Sequence, residues 1–172
     1  LWNLPAMFVC INNQYGMGTR VDHSSSSKSF PVRAKAFGLE ADLADGVDAE
    51  EVNAKAGVLL EAARDGHTSF LEISCYRFYG HARKDKSPYR SEEEEAAGRK
   101  RDPIAFLAKR MLAAGSLSDE ALAALNQRAD AEMDAAQRFA EEAPLPALGS
   151  MFEDVYHPST PKPIPNAERL SL

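Results

Sequence analysis

Cysteine is nearly absent: Cys10 and Cys75 are the only two in 172 residues, and each sits inside an apolar or β-branched run. No cysteine–histidine ligand spacing surrounds either, so both are expected as free, buried thiols of a reducing cytoplasm rather than a disulfide or a metal pair. No apolar stretch approaches the roughly 20 residues needed to span a bilayer, and no signal peptide is visible, so no membrane partner is expected. Positive charge is also short. Twenty Lys and Arg against 26 Asp and Glu leave a net charge of −6, which argues against a nucleic-acid partner. A Gly-Lys-Ser phosphate loop and a nucleophile elbow are missing as well. What remains is ordinary globular material, 44% hydrophobic and 27% charged, long enough for a sizeable core.

Ala6 to Ile11, after Pro5, is a short continuous apolar run. Such a run fits a strand buried on both faces, as in a parallel sheet covered by helices. It stops on Asn12-Asn13 and the glycine-punctuated "QYGMG", and His23 with the serines 24–27 then reads as a mobile loop. Pro31 to Phe37 predicts a short helix ended by Gly38, with a brief strand over Leu39–Leu43. Asp48 with Glu51 resembles a capping box, and Val52, Ala56, Leu59, Leu60 and Ala63 recur at helical spacing up to Gly66. "TSFLEISC", Thr68 to Cys75, is strand-like. Strand, helix, strand in that order is the crossover unit of a parallel sheet, expected right-handed. Asp102-Pro103 opens a further helix closed by Gly115. Ser118 starts a long amphipathic one through Leu122, Leu125, Ala129, Met133, Ala136 and Phe139, which Pro144 and Pro146 end. The proline-rich 158–165 is too irregular for a helix or strand.

Two stretches could carry chemistry. Ligands of open α/β sheets bind outside the carboxyl ends of the strands, which is where Asn12-Asn13 falls. An asparagine amide oxygen suits Mg²⁺, and the following glycines allow a backbone carbonyl such as that of Tyr15 to join it. On spacing alone the same residues also fit a plain asparagine-rich turn. The second stretch is "YRFYGHARKDKSPYR", Tyr76 to Arg90, with six basic residues among its tyrosines, following the second strand's carboxyl end. It fits a phosphate-bearing ligand on the same rim, with His81 donating a hydrogen bond or shuttling a proton, or else a solvated basic loop. His67, His23 and His157 have no evident partners, and the run Glu92 to Glu95 reads as a solvated helix start.

The stretch "LWNLPAMFVCINNQYGMGT" resembles the closing half of the thiamine-diphosphate motif in the alpha subunit of 2-oxoacid dehydrogenase first components, the pyruvate and acetoin dehydrogenases among them. "RAKAFGL", "DGVD", "YRFYGHARKDKSPYR" and "RDPI" follow in the family's order. The resemblance implies an α/β fold: part of a three-layer, parallel-sheet thiamine-diphosphate-binding domain, followed by C-terminal helices. The corresponding divisions are residues 1–100 for the α/β domain, 101–143 for a helical extension and 144–172 for an irregular tail. It implies thiamine diphosphate and Mg²⁺ as cofactors, with the Asn13 side chain and the Tyr15 carbonyl as metal ligands. His81 would lie in the loop over the diphosphate as catalytic and cofactor-binding residue, with Arg90 binding cofactor from the same loop.

The implied reaction is decarboxylation of a 2-oxoacid, or cleavage of acetoin, with transfer of the acyl group to a lipoyl-bearing acyltransferase. "YRFYGH" and "ARKDK" look more like the pyruvate or acetoin branch than the branched-chain one. The implied partner is a beta subunit in an alpha2beta2-type assembly, which supplies the glutamate that activates the cofactor. Two departures stand out. The family's opening Gly-Asp-Gly, whose aspartate is the charged metal ligand, is absent, and the chain begins at Leu1-Trp2 without methionine. It is therefore expected to be a fragment or to take that half from another polypeptide. Ala82 also replaces the serine that follows the loop histidine in kinase-regulated members, so control of that kind is not expected. The rival expectation is a non-catalytic assembly module that packs on a partner through its long helix.

Overall fold

A computed structural model describes residues 2–27, 29–153 and 155; His157 and the proline-rich 158–165 lie outside them. The apolar run forms β1 (Met7–Asn12), and the glycine-punctuated segment folds into a small antiparallel hairpin of β2 (Tyr15–Gly16) and β3 (Thr19–Arg20). One helical turn, α1 (Val21–Ser24), takes in His23 and Ser24, the start of the stretch expected to be a loop. Then come α2 (Pro31–Ala36), β4 (Glu40–Asp45), α3 (Ala49–Arg64) and β5 (Ser69–Ser74). The helices α4 (Glu92–Arg99), α5 (Pro103–Ala113) and α6 (Asp119–Glu142) follow, with a 3-10 turn at Leu148–Phe152.

The helix-start signals act as read, except that the capping box is only half made: the Asp48 amide donates to the Asp45 carbonyl and the Glu51 side chain pairs with Lys55. The Asp48 side chain accepts from the amides of Glu50 and Glu51, and Asp102 accepts from that of Ile104 with Pro103 in the first turn. The chain divides into two compact units, Leu1–Leu122 and Ala123–Leu172, the division falling inside α6. In the second unit the α6 residues Leu125, Met133 and Phe139 are exposed. No helix among the described residues is long and apolar enough to cross a membrane.

In the first unit β1, β5 and β4 form one parallel sheet in that order. Side chains alternate across a strand, so the register splits the sheet into two faces. Leu71, Ile73, Ala44 and Met7 pack with Val52, Ala56 and Leu59 of α3 on one face. On the other, Phe8, Cys10 and Phe70 border an apolar groove with Phe30, Ala34 and Phe37 around α2. The parallel sheet expected from the strand–helix–strand order is present, with helices on both faces as the family resemblance implies.

The structure corrects the place of β1. It was expected to be buried on both faces, yet Phe8, Val9 and Ile11 are 55%, 48% and 59% exposed. The reason is position: β1 is an edge strand, and the strand covered on both faces is the central β5, where Ser69, Leu71 and Glu72 are 2% exposed or less. Both cysteines are free and half-buried, and burial raises both thiol pKa values.

The carboxyl ends of the three strands are level, with Asn12, Ser74 and Asp45 in register. Gly46 closes this rim: its amide donates to the Ser74 carbonyl at 2.7 Å, and a Cβ there would lie 2.7 Å from the same oxygen. Gly46→Ala is therefore expected to pry β4 from β5 and cost about 2 kcal/mol, as overpacked sites do. Thermal unfolding of the variant checks it.

Candidate functional site

Where β1 ends, two consecutive asparagines fold their side chains back onto the chain. Asn12 Oδ1 accepts from the Gln14 amide and Asn13 Oδ1 from the Tyr15 amide, each at 3.1 Å. These are successive Asx turns, in which the side chain mimics a backbone turn. Between them Gln14 is in the left-handed region at φ 70°, which costs a non-glycine residue roughly 1 kcal/mol or more. Its carbonyl accepts from the Val21 amide at 2.9 Å, which ties the turn to α1. The asparagine-rich turn is thus present, followed by a hairpin. Gly18 is there because the Tyr89 ring comes so close that a Cβ would sit 3.0 Å from it.

The basic stretch lies on this hairpin as an irregular but heavily bonded loop. Arg77 Nη2 donates to the Met17 carbonyl at 2.9 Å and to the Tyr89 hydroxyl at 3.0 Å. The Tyr89 and Tyr15 rings are 5.4 Å apart. Arg90, 8% exposed, places its guanidinium 4.7 Å from the Tyr15 ring centroid and 4.9 Å from that of Tyr76. Its Nη1 donates to the Arg77 carbonyl at 2.7 Å. Among the described residues its Nε and Nη2 have no hydrogen-bond partner.

Asp85 is the second organiser of the loop. It accepts from the Tyr89 hydroxyl at 2.6 Å and from the amides of His81 and Ser87 at 2.8 Å each. Those donors, the Tyr89 hydroxyl first, hold its pKa down to about 2 from an ordinary 3.8. A depressed carboxylate contributes order above its unfolded pKa and loses it as pH falls through the folded one. The His81 turn is therefore expected to keep its structure from neutrality down to about pH 4 and to lose it towards pH 2. Amide exchange at His81 against pH measures this.

The four residues singled out from the sequence are not all gathered at one point. Tyr15 and Arg90 are in contact, and Asn13 is held in the turn that Tyr15 closes. His81 is exposed and joins the group through Arg77, whose Nη1 is 3.4 Å from His81 Nδ1. A guanidinium can only donate, so a hydrogen bond here takes Nδ1 as its acceptor and leaves Nε2 as the ring's free nitrogen. Tyr79, Gly80, His81, Ala82, Arg83 and Asp85 border a cavity of about 390 Å³.

The solvated reading of the glutamate run is corrected at one residue. Glu94 accepts from the Tyr15 hydroxyl at 2.7 and 2.9 Å and from Arg20 Nη1 at 3.2 Å. Burial first, and then the Glu94 hydrogen bond, raise the Tyr15 pKa. Sequence pattern missed this because a helix-start glutamate looks alike whether it faces water or a tyrosine 79 residues away. Glu72 was missed too, although a lone charge inside "TSFLEISC" was its signal.

Among the described residues no cluster of three His, Cys, Asp or Glu could hold a metal ion. The donors on offer are neutral oxygens. Asn13 Oδ1 has a second lone pair beyond its bond to the Tyr15 amide, and neutral oxygens of this kind fit Mg²⁺ as part of a ligand set completed by phosphate, water or a carboxylate from elsewhere.

Residues 1–148 match the family model described as Dehydrogenase E1 component. The chain belongs to this family. Its E1 relatives include the "Pyruvate dehydrogenase E1 component subunit alpha" of Rickettsia felis, 32% identical over 157 residues, 91% of this chain and 48% of the relative. That of Zymomonas mobilis is 34% identical over 157 residues, covering 90% and 44%. The testis-specific mitochondrial form of Rattus norvegicus is 31% identical over 172 residues, covering 98% and 44%. The chain spans about half the length of the curated E1 relatives it matches.

Proposed function

We propose that this chain forms the part of an E1 alpha subunit that grips the diphosphate of thiamine diphosphate through Mg²⁺, in an enzyme acting on pyruvate or a related 2-oxoacid. The observation that carries the reading is the pair of Asx turns at the carboxyl rim of a parallel sheet, in a chain of the E1 family. When bound, the cofactor supplies the electron sink for decarboxylation, and the protein contributes binding, orientation and electrostatics. Asn13 would offer its Oδ1 and Tyr15 its carbonyl to the ion. Arg90 adds buried positive charge behind Tyr15 and fixes the loop above the turn. His81, through its free Nε2, can donate to a phosphate or to the substrate carboxylate and can hand on a proton.

The pyruvate substrate follows the names of the relatives, and acetoin is the neighbouring alternative. A beta subunit and a lipoyl-bearing acyltransferase are the partners this role requires, the first to complete the site and the second to accept the acyl group. The rival reading, a packing module that works through its long helix, accounts for the exposed Leu125 and Met133 but gives no reason for two asparagine turns on the rim.

The test is calorimetric titration of thiamine diphosphate with Mg²⁺ into the chain with the Gly-Asp-Gly half of the motif supplied, alone and assembled with a beta subunit of the family. Saturable, Mg²⁺-dependent binding in the assembly is expected. No binding in either arm overturns the proposal.

A further inference from the structure

Glu72 is 2% exposed in the middle of the central strand. Among the described residues no lysine, arginine or histidine pairs with it, which is an expensive way to bury a carboxyl group. Its two oxygens are instead divided between two neighbours. Oε1 accepts from Asn12 Nδ2 at 2.6 Å, and Oε2 accepts from the backbone amide of Phe30, at the start of α2, at 2.9 Å.

The chemistry of that division fixes the rim. A carboxylate only accepts, so it takes the amide NH₂ of Asn12 and leaves Asn12 Oδ1 for the Gln14 amide. A glutamine of the same shape would not enforce this. If its oxygen faced Asn12, its NH₂ would oppose the Phe30 N–H. If its oxygen faced Phe30, its NH₂ would favour an Asn12 turned over, with no acceptor left for Gln14.

We propose that Glu72 is a positioning residue for the metal turn: through Asn12 it holds Gln14 in its left-handed conformation, and so sets Asn13 and the Tyr15 carbonyl. The inference rests on the Mg²⁺–diphosphate reading above and adds a residue 59 positions from Asn13 to that site. Partners that orient a ligand from behind typically change metal affinity about ten- to a hundredfold when lost.

Two readouts on Glu72→Gln test it. The first needs no metal. Amide exchange at Gln14 is expected to rise about tenfold for the loss of one held hydrogen bond, while Leu71 and Ile73 in β5 stay protected. The second is the Mg²⁺ dependence of thiamine diphosphate binding in the assembled enzyme, expected to weaken about tenfold or more. Asn12→Ala guards against a variant that misfolds: it should show the same two changes, and adding Glu72→Gln to it should bring nothing further, because the two residues act as one unit. Unchanged exchange at Gln14, exchange raised equally throughout β5, or unchanged Mg²⁺ dependence overturns the proposal. Absence of binding by the unsubstituted enzyme is a separate result, which overturns the metal reading and the role of Glu72 in it.

Discussion

Replacing Arg90 with alanine is expected to destabilise the first unit by about 3 kcal/mol and to release the loop that carries His81. The guanidinium sits over the rings of Tyr15, Tyr76 and Tyr89, at 4.7, 4.9 and 5.7 Å from their centroids. It also donates to the carbonyls of Arg77 and Tyr79. Alanine would leave a cavity among three aromatic rings and remove the buried donor for two carbonyls, each of these a destabilising change. The gain is tempered by Nε and Nη2, whose desolvation no described residue offsets.

Arg90→Lys keeps the charge but lacks the planar fork that stacks and bonds at once, so it should recover less than half of the loss. Urea unfolding followed by tyrosine and tryptophan fluorescence measures both variants. A loss below about 1 kcal/mol for Arg90→Ala, within the range of an exposed side chain, would show that Arg90 does not organise the loop.

Arg90 also illustrates what a sequence can and cannot give. "YRFYGHARKDKSPYR" announces a basic, aromatic loop, and its place after β5 puts it near the end of β1, because parallel strands share an end. Which of its cations faces a ligand and which is buried as a strut is a matter of packing. Nothing in the local pattern separates Arg90, at 8% exposure, from Arg83, which is exposed. The helices and their caps were readable because caps and apolar periodicity are local signals, as Asp48, Asp102 and Pro103 show.

Edge and centre were not readable in the same way. The apolar run of β1 predicts a covered strand, whereas strand order is decided by which pairs form, and β5 rather than β1 took the middle. The contacts of Glu94 and Glu72, reaching Tyr15 and Asn12 from 79 and 60 residues away, are long-range for the same reason.

The second large effect is expected at Asn13. Its Oδ1 accepts from the Tyr15 amide and keeps a lone pair for an ion. On the proposed reading, Asn13→Ala should remove one metal ligand and loosen Tyr15, whose carbonyl would be the other. A polar contact to a charged group is worth enough to expect about a hundredfold weaker binding of thiamine diphosphate with Mg²⁺. His67 is the control, since it is exposed and its nearest charged partner, Glu40, lies 3.9 Å away, far from the asparagine turn in the chain.

The most direct measurement is calorimetric titration of the cofactor with Mg²⁺ into the assembled enzyme carrying the native chain, Asn13→Ala or His67→Ala. Binding lost or about a hundredfold weaker in Asn13→Ala alone is the predicted result. Equal affinity in Asn13→Ala and the native enzyme would contradict the assignment of this turn to the metal.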